Sequence, residues 1–163
     1  MAGPPVRSEP SRVYVDSSVF GGAFDEEFAE PTGAFFDQVR RGLFRIVISP
    51  LVQQELQQAP EAVRLLFDEM LLVAEVATVS EGAVRLQQAY LAARIVGQRA
   101  MTDALHVALA TVAECDAIVS WNFHHIVNFG RIPKYNAVNV LQGFGSIAIH
   151  SPQEVLIDED EDA

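Results

Sequence analysis

Cysteine is almost missing from this sequence, and its scarcity limits what the protein can be. Cys115 is the only cysteine among 163 residues, so the chain can form neither an internal disulfide nor a zinc site built on several thiolates. We therefore expect a protein of the reducing cytoplasm. No apolar run approaches the roughly 18 residues of a membrane span, and the opening MAGPPVRSEP lacks the apolar core of a secretory signal. We expect no membrane association.

Positive charge is also scarce. Lys and Arg total 11 against 22 Asp and Glu, which gives a formal net charge of -11. The final DEDEDA holds five of these acids, so the rest of the chain still carries -6. This balance argues against strong, sequence-independent binding to nucleic acid through phosphate contacts, because such binding normally depends on Lys and Arg. If RNA is the partner, a local feature must offset the overall charge.

The short motifs of common nucleotide-binding and zinc enzymes are absent as well. Neither GxxxxGK[ST] nor GxGxxG occurs around Gly21 and Gly22, which we interpret as turn residues. His124 and His125 are adjacent, but no thiolate or HExxH pattern accompanies them. Any active site must therefore be assembled from residues that lie far apart in the sequence.

Short β-branched and aromatic runs alternate with segments of helical length. Strands are predicted at 13–15, 44–49, 117–121 and 147–149, and helices at 32–42, 49–58, 60–72, 80–96 and 102–114. Segment 75–80 fits either a short strand or a linker. This alternation predicts an α/β fold in which a mainly parallel central sheet is covered on both faces, a three-layer α/β/α sandwich. We predict one such domain over 12–157, a flexible segment over 1–11 and a disordered acidic tail over 158–163.

Polar side chains interrupt the apolar pattern where an open parallel sheet binds its ligands, at the carboxyl ends of the strands. Asp16 follows the first predicted strand, and Ser120 and Asn122 lie at the corresponding end of the strand 117–121. Because these ends meet at one edge of the sheet, the three residues are predicted to lie near one another.

Two further acids can reach the same edge. Glu55 lies in the helix that follows 44–49, and Asp103 begins the highly apolar helix 102–114. Clustered acids without cations repel one another, and Mg²⁺ or Mn²⁺ takes oxygen ligands of this kind. Each acid also has a structural explanation: Asp16 and Asp103 could favour helix N-termini, and Glu55 could be solvated. The joint pattern favours a metal site and leaves these explanations open.

Four segments, in this order and with this spacing, resemble the PIN-domain nucleases: VYVDSSVF, SPLVQQEL, TDALHVALA and DAIVSWNFHHIVN. The similarity is greatest to the single-domain bacterial proteins grouped with VapC-type toxins, and it runs from about Arg12 to Leu156. It implies an α/β/α sandwich and an Mg²⁺- or Mn²⁺-dependent endoribonuclease, a phosphodiester hydrolase acting on RNA. It also implies the toxin of a type II toxin-antitoxin pair, with an antitoxin partner and a homodimeric state.

The resemblance assigns roles position by position. Asp16, Glu55 and Asp103 match the three leading acidic residues of the family and are the implied metal ligands. Ser120 matches the hydroxyl residue before the fourth acidic position. The family often has aspartate at that fourth position, where this chain has Asn122, and an amide adds no negative charge to hold a second metal ion. All five residues are therefore candidate catalytic residues.

Several residues keep a second interpretation. Ser17 or Ser18 matches the small polar residue after the first acid. His106, one turn after Asp103, is expected to be a core histidine hydrogen-bonded to the sheet or to the acids. Three cations could contact the RNA backbone, although ordinary surface charge is the favoured explanation for them: Arg94, Arg99 and Lys134.

Two other functions remain to be weighed. A catalytically weak or inactive PIN-fold module that binds RNA or protein is the alternative that Asn122 and the acidic composition favour. An aspartyl-phosphate phosphotransferase would need a second aspartate two residues after Asp16, where Ser18 stands.

Overall fold

The computed structural model describes residues 9–159. Its strands are β1 (Ser11–Val15), β2 (Phe44–Ile48), β3 (Glu75–Val76), β4 (Ala117–Val119) and β5 (Ala148–His150). Its helices are α1 (Ser17–Gly22), α2 (Ala29–Arg40), α3 (Pro50–Leu56), α4 (Glu61–Leu71), α5 (Glu81–Ala92), α6 (Met101–Val112), α7 (Ile132–Leu141) and α8 (Pro152–Val155). Most of the predicted flexible segment and of the predicted acidic tail lies outside the described residues. Among those described, no helix combines the length and apolar character needed to cross a membrane.

The five strands form one sheet in the order β3-β2-β1-β4-β5, and each pairing is parallel. β1 lies at the centre because Val13, Tyr14 and Val15 are apolar or aromatic and fully buried. Val13 is level with Ile46 on one side and with Ala117 on the other. This register brings the carboxyl ends of β1 and β4 together, which confirms the predicted parallel sheet.

The chain covers the sheet on both faces. Helices α1 to α4 pack with one another and with α8, while α5 packs against α6 and α7. After β1 the chain moves outward to β2 and β3, then returns to β4 on the other side of β1 and continues to β5. Right-handed crossovers of opposite direction place their helices on opposite faces, giving the predicted three-layer sandwich. The crevice between β1 and β4 is the switch point at which such sheets bind ligands.

The predicted elements lack α1, which contains Gly21 and Gly22, so the interpretation of these glycines as turn residues was wrong. The main difference is α7, a longer helix that the prediction also lacks. Only Tyr135 and Asn139 of this helix are buried, so its apolar periodicity is weak. α5 also ends earlier than predicted, at Ala92, because Arg94 adopts a left-handed backbone with φ of 58°. The undecided segment 75–80 contains a short edge strand, β3.

Candidate active site

Asp16 is a buried carboxylate at the carboxyl end of the central strand. Its side chain caps α1 by accepting hydrogen bonds from the backbone N–H of Ser18 (3.1 Å) and from the Ser18 hydroxyl (2.6 Å). Its second oxygen accepts a hydrogen bond from the Ser120 hydroxyl at 2.6 Å. Burial raises the pKa of Asp16, although the charge of His106 and the two hydroxyl donors oppose the increase. The fold thus holds a costly carboxylate at the β1–β4 crevice.

Glu55 ends a hydrogen-bonded chain that begins in the core. The Ser49 and Tyr14 hydroxyls lie 2.8 Å apart, and the Tyr14 hydroxyl lies 2.8 Å from Nδ1 of His106. Nε2 of His106 lies 2.5 Å from Glu55 Oε1, which also accepts a hydrogen bond from the Ser17 hydroxyl at 2.9 Å. Partial burial raises the pKa of Glu55, but His106 and Ser17 outweigh it, so the net pKa is lowered. Glu55 is thereby held ionised close to α1.

Asp103 and Asn122 take part in a separate set of contacts. Asp103 Oδ2 lies 2.9 Å from Nδ1 of His125, and the Tyr135 hydroxyl donates to the backbone carbonyl of His125 at 2.8 Å. Asn122 Oδ1 accepts from the backbone N–H groups of His124 (3.2 Å) and His125 (2.9 Å). The amide that replaces the fourth acid therefore shapes the loop that presents His125 to Asp103.

These contacts determine how well the site would suit a divalent metal ion. Across residues 9–159, no Lys or Arg forms an ion pair with Asp16, Glu55 or Asp103. Carboxylate and hydroxyl oxygens are the donors that Mg²⁺ and Mn²⁺ prefer, so the donor set fits these ions in kind. Within the same described residues, no three His, Cys, Asp or Glu side chains are grouped closely enough to hold a metal. Each acid is instead held by its own hydroxyl or imidazole partner.

Trp121 is a site residue that the sequence analysis passed over, although it stands between Ser120 and Asn122. Its backbone N–H donates to the Ser18 hydroxyl at 2.9 Å, and its indole Nε1–H donates to Thr32 Oγ1 at 2.9 Å. The indole ring stacks on Phe28 with ring centroids 4.2 Å apart and planes inclined by 19°. The loop after β4 is thus tied to α1 and α2 beside Asp16.

Gly22→Ala is expected to dislodge this indole. A Cβ at Gly22 would lie 2.7 Å from Cδ1 and Nε1 of Trp121, a separation that real Cβ contacts do not tolerate. Overpacking of this kind costs about 1 to 3 kcal/mol in the free energy of unfolding. Chemical denaturation followed by the fluorescence of Trp121, the single tryptophan, measures the loss.

Gly21→Ala is the matched control, because it lies in the same helix and a Cβ there meets nothing within 4 Å. It should leave stability unchanged or raise it slightly, since alanine is the better helix former. Equal stability of the two variants would show that Trp121 is not held against Gly22.

The three cations proposed to contact RNA differ in their surroundings, because one lines a depression and two lie on the exposed surface. Arg94 lines a depression of about 400 Å³ between the end of α5 and the start of α7, together with Arg131. Arg131 is fixed there because its Nε–H donates to the backbone carbonyl of Ile95 at 3.0 Å. Arg99 and Lys134 are exposed. Arg131 was not a candidate from the sequence, since only the fold brings α7 beside this depression.

Comparison with known proteins identifies the family. The PIN domain family model matches residues 13–123, the stretch that contains Asp16, Glu55, Asp103 and Asn122. The chain belongs to the PIN domain family. PIN domains are generally nucleases, and they typically use divalent metal ions. No curated protein matches the sequence.

Solved structures share the fold at low sequence identity. VapBC2 from Rickettsia felis bound to a promoter DNA fragment matches with a TM-score of 0.57 and 16% identity, covering 86% of this chain and 98% of that chain. FitAcB from Neisseria gonorrhoeae matches with a TM-score of 0.57 and 12% identity, covering 88% of this chain and 99% of that chain. The chain therefore shares its fold with VapBC2 and FitAcB.

Proposed function

We propose that this PIN domain is a cytoplasmic, Mg²⁺- or Mn²⁺-dependent endoribonuclease and the toxin of a type II toxin-antitoxin pair. The observation that carries the proposal is Asp16, a buried carboxylate with a raised pKa at the β1–β4 crevice. No Lys or Arg within residues 9–159 pairs with it. A fold holds such a group at a ligand-binding edge at a cost in stability, which is typical of functional sites.

The roles of the acids follow from their surroundings. Asp16, Glu55 and Asp103 would hold the metal ion only if its binding drew their carboxylates closer together than they lie in the structure; the ion would then activate water and stabilise charge on the scissile phosphate. Ser120 and Ser18 orient the Asp16 carboxylate through their hydroxyl donors. Each hydroxyl thus engages one of the two Asp16 oxygens.

Two histidines hold the other two acidic side chains in place. His106 keeps Glu55 ionised and aimed at α1, so that Glu55 can position a water or a metal ligand. His125 holds Asp103 from the loop after β4, and Asn122 fixes that loop through its amide oxygen. We propose that this arrangement tolerates asparagine at the fourth position, because Asn122 acts on the backbone of the loop.

The substrate-binding and partner assignments rest on less direct support. The depression lined by Arg94 and Arg131 adjoins the start of α6 and offers two guanidinium groups to an RNA backbone. Arg99 and Lys134 are further candidates for such contacts. An antitoxin partner is supported by the likeness to VapBC2 and FitAcB, and we propose a homodimer by the same analogy.

The decisive experiment is RNA cleavage by the purified protein. We expect single-stranded RNA to be cut in Mg²⁺ or Mn²⁺, and cleavage to stop in EDTA and in Asp103→Asn. The loss in Asp103→Asn should be at least about a hundredfold, since a metal supplies several kcal/mol of transition-state stabilisation. Asp68→Asn is the control, because Asp68 is an exposed acid on α4.

Cleavage that survives both EDTA and Asp103→Asn would rule out the proposed mechanism and indicate a contaminating nuclease. The toxin assignment has its own test: expression should arrest growth, and co-expression of a small protein encoded by the adjacent gene should relieve the arrest. If cells expressing the active enzyme continue to grow, the toxin assignment is wrong and the nuclease assignment stands.

A PIN-fold module that binds RNA or protein without cutting is the second candidate. It is favoured by one observation, that residues 9–159 contain no ready-made group of three metal-ligating side chains. It predicts RNA or partner binding with no metal-dependent cleavage in the same assay.

A further inference from the structure

Three aromatic side chains form a cluster that the proposed hydrolysis does not use. Phe28 stacks on Trp121, and Phe123 lies 5.9 Å from Trp121 and 6.4 Å from Phe28 between ring centroids. Phe28 and Trp121 are partly buried, whereas Phe123 is 48% exposed. We call these three residues the aromatic cluster. An exposed aromatic ring backed by two ordered rings is a surface on which a flat ligand can stack.

The aromatic cluster is fixed relative to the catalytic acid. Ser18 Oγ accepts a hydrogen bond from the backbone N–H of Trp121 at 2.9 Å and donates to Asp16 at 2.6 Å. Ser120, the residue before Trp121, donates to the other oxygen of Asp16. Two short connections therefore join the cluster to Asp16, and the cluster borders the β1–β4 crevice.

The charge of the protein indicates what this surface binds. With a net charge of -11, the protein gains little RNA affinity from its overall charge, so the few local phosphate contacts proposed for Arg94 and Arg131 need a second source of affinity beside them. Stacking of a base on an aromatic ring does not depend on net charge, and every base offers a face for it. Unpaired bases are free to stack, whereas bases inside a duplex are already stacked on their neighbours.

We propose that the aromatic cluster is a nucleobase-stacking site, in which the exposed face of Phe123 receives an unpaired base beside the β1–β4 crevice that contains Asp16. This rests on the proposed ribonuclease function and names the side chains that would hold a base of its single-stranded RNA substrate. Trp121 and Phe28 act as positioning residues, because their contacts with Thr32 and with each other hold the surface behind Phe123.

The test compares two substitutions of Phe123, one that removes the aromatic ring and one that keeps it. Phe123→Leu keeps an apolar side chain but removes the ring, and Phe123→Tyr keeps the ring. Phe129→Leu is the matched control, since Phe129 is 95% exposed in the same loop region. Binding of a fluorescein-labelled single-stranded RNA is followed by anisotropy in an Asp103→Asn background with Mg²⁺, and quenching of Trp121 fluorescence reports a base at the cluster.

We expect RNA to quench Trp121 in the parent protein, in Phe123→Tyr and in Phe129→Leu. Phe123→Leu should lose the quenching and about tenfold in affinity, the amount typical of one base–aromatic stack. The dependence of its affinity on salt should not change, because no phosphate contact is removed. Equal thermal stability of Phe123→Leu and Phe123→Tyr excludes misfolding as the cause.

Other results would overturn the inference in distinguishable ways. If Phe123→Leu binds and quenches like the parent while the wild-type chain cuts RNA, the stacking site is wrong and the ribonuclease stands. A cluster that seats a protein partner would give this same result. If the wild-type chain neither binds nor cuts single-stranded RNA, the proposed function fails and the stacking site fails with it.

Discussion

Asp16→Asn is expected to abolish RNA cleavage and to make the protein more stable. Activity should fall by at least about a hundredfold, because the amide removes Asp16, the one buried carboxylate among residues 9–159. Asparagine is as good a helix cap as aspartate, so α1 keeps its N-terminal hydrogen bond. The substitution removes the charge that burial penalises, so the free energy of unfolding should rise.

The stability change has a defined pH dependence. Because the folded-state pKa of Asp16 is raised, its protonated form stabilises the fold at low pH, and that contribution is lost as the pH rises through the folded-state pKa. Asp16→Asn has no carboxyl group to deprotonate at this position, so its stability does not fall in this way as the pH rises. Its thermal midpoint in EDTA should exceed that of the wild type at pH 7, by about 2 to 4 °C for each kcal/mol, and the difference should shrink toward pH 4.

Asp68→Asn again provides the control, since Asp68 is exposed. The substitution should leave activity unchanged and alter the free energy of unfolding by no more than about 0.5 kcal/mol. A less stable Asp16→Asn would contradict the argument, because it would mean that the Asp16 carboxylate stabilises the fold through its hydroxyl donors.

His106→Ala should have the second largest effect, lowering the free energy of unfolding by about 2 to 4 kcal/mol. The substitution opens a cavity at a buried position and leaves Tyr14 and Glu55 without their imidazole partner. Cleavage should fall as well, since Glu55 loses the contact that aims it. Urea denaturation and initial rates at saturating RNA measure the two effects.

Tyr14→Phe distinguishes the contribution of the Ser49–Tyr14 end of this series of hydrogen bonds from that of the His106–Glu55 end. It removes the hydroxyl between Ser49 and His106 but leaves the contact of His106 with Glu55 in place. It should cost about 1 kcal/mol in the free energy of unfolding and only slightly reduce cleavage. A Tyr14→Phe variant as inactive as His106→Ala would show that the whole chain, and not the Glu55 contact alone, supports the site.

The sequence predicted the sheet well because apolar strands and turn residues are local signals. VYV and the Asp16 that follows it lie in β1 and at its carboxyl end, as expected, and 44–49 differs from β2 by one residue. α7 was missed because only Tyr135 and Asn139 of this helix are fully buried, which leaves a weak apolar periodicity. Such a helix is stabilised by contacts distant in sequence, which a local pattern does not reveal.

The candidate site was predicted less completely, for a related reason. His106 contacts both Glu55 and Tyr14 of β1, which agrees with the expectation of a core histidine bound to the sheet or to an acid. The partnership of Asp103 with His125 was not predicted, because it depends on how the loop after β4 folds. The roles of the five predicted catalytic residues remain predictions, of which the Asp16→Asn and Asp103→Asn variants test two directly.

The pairing of β1 with β4 also sets when this protein can become active during its own synthesis. Asp16 leaves the ribosome early, but its hydroxyl partner Ser120 lies 104 residues later in the chain. A nascent chain that has not yet released β4 lacks the Ser120 and Trp121 contacts, and long-range pairings of this kind form late. Under the proposed function, a chain truncated before β4 should therefore fail to cleave RNA, and cleavage assays of such a chain test this expectation.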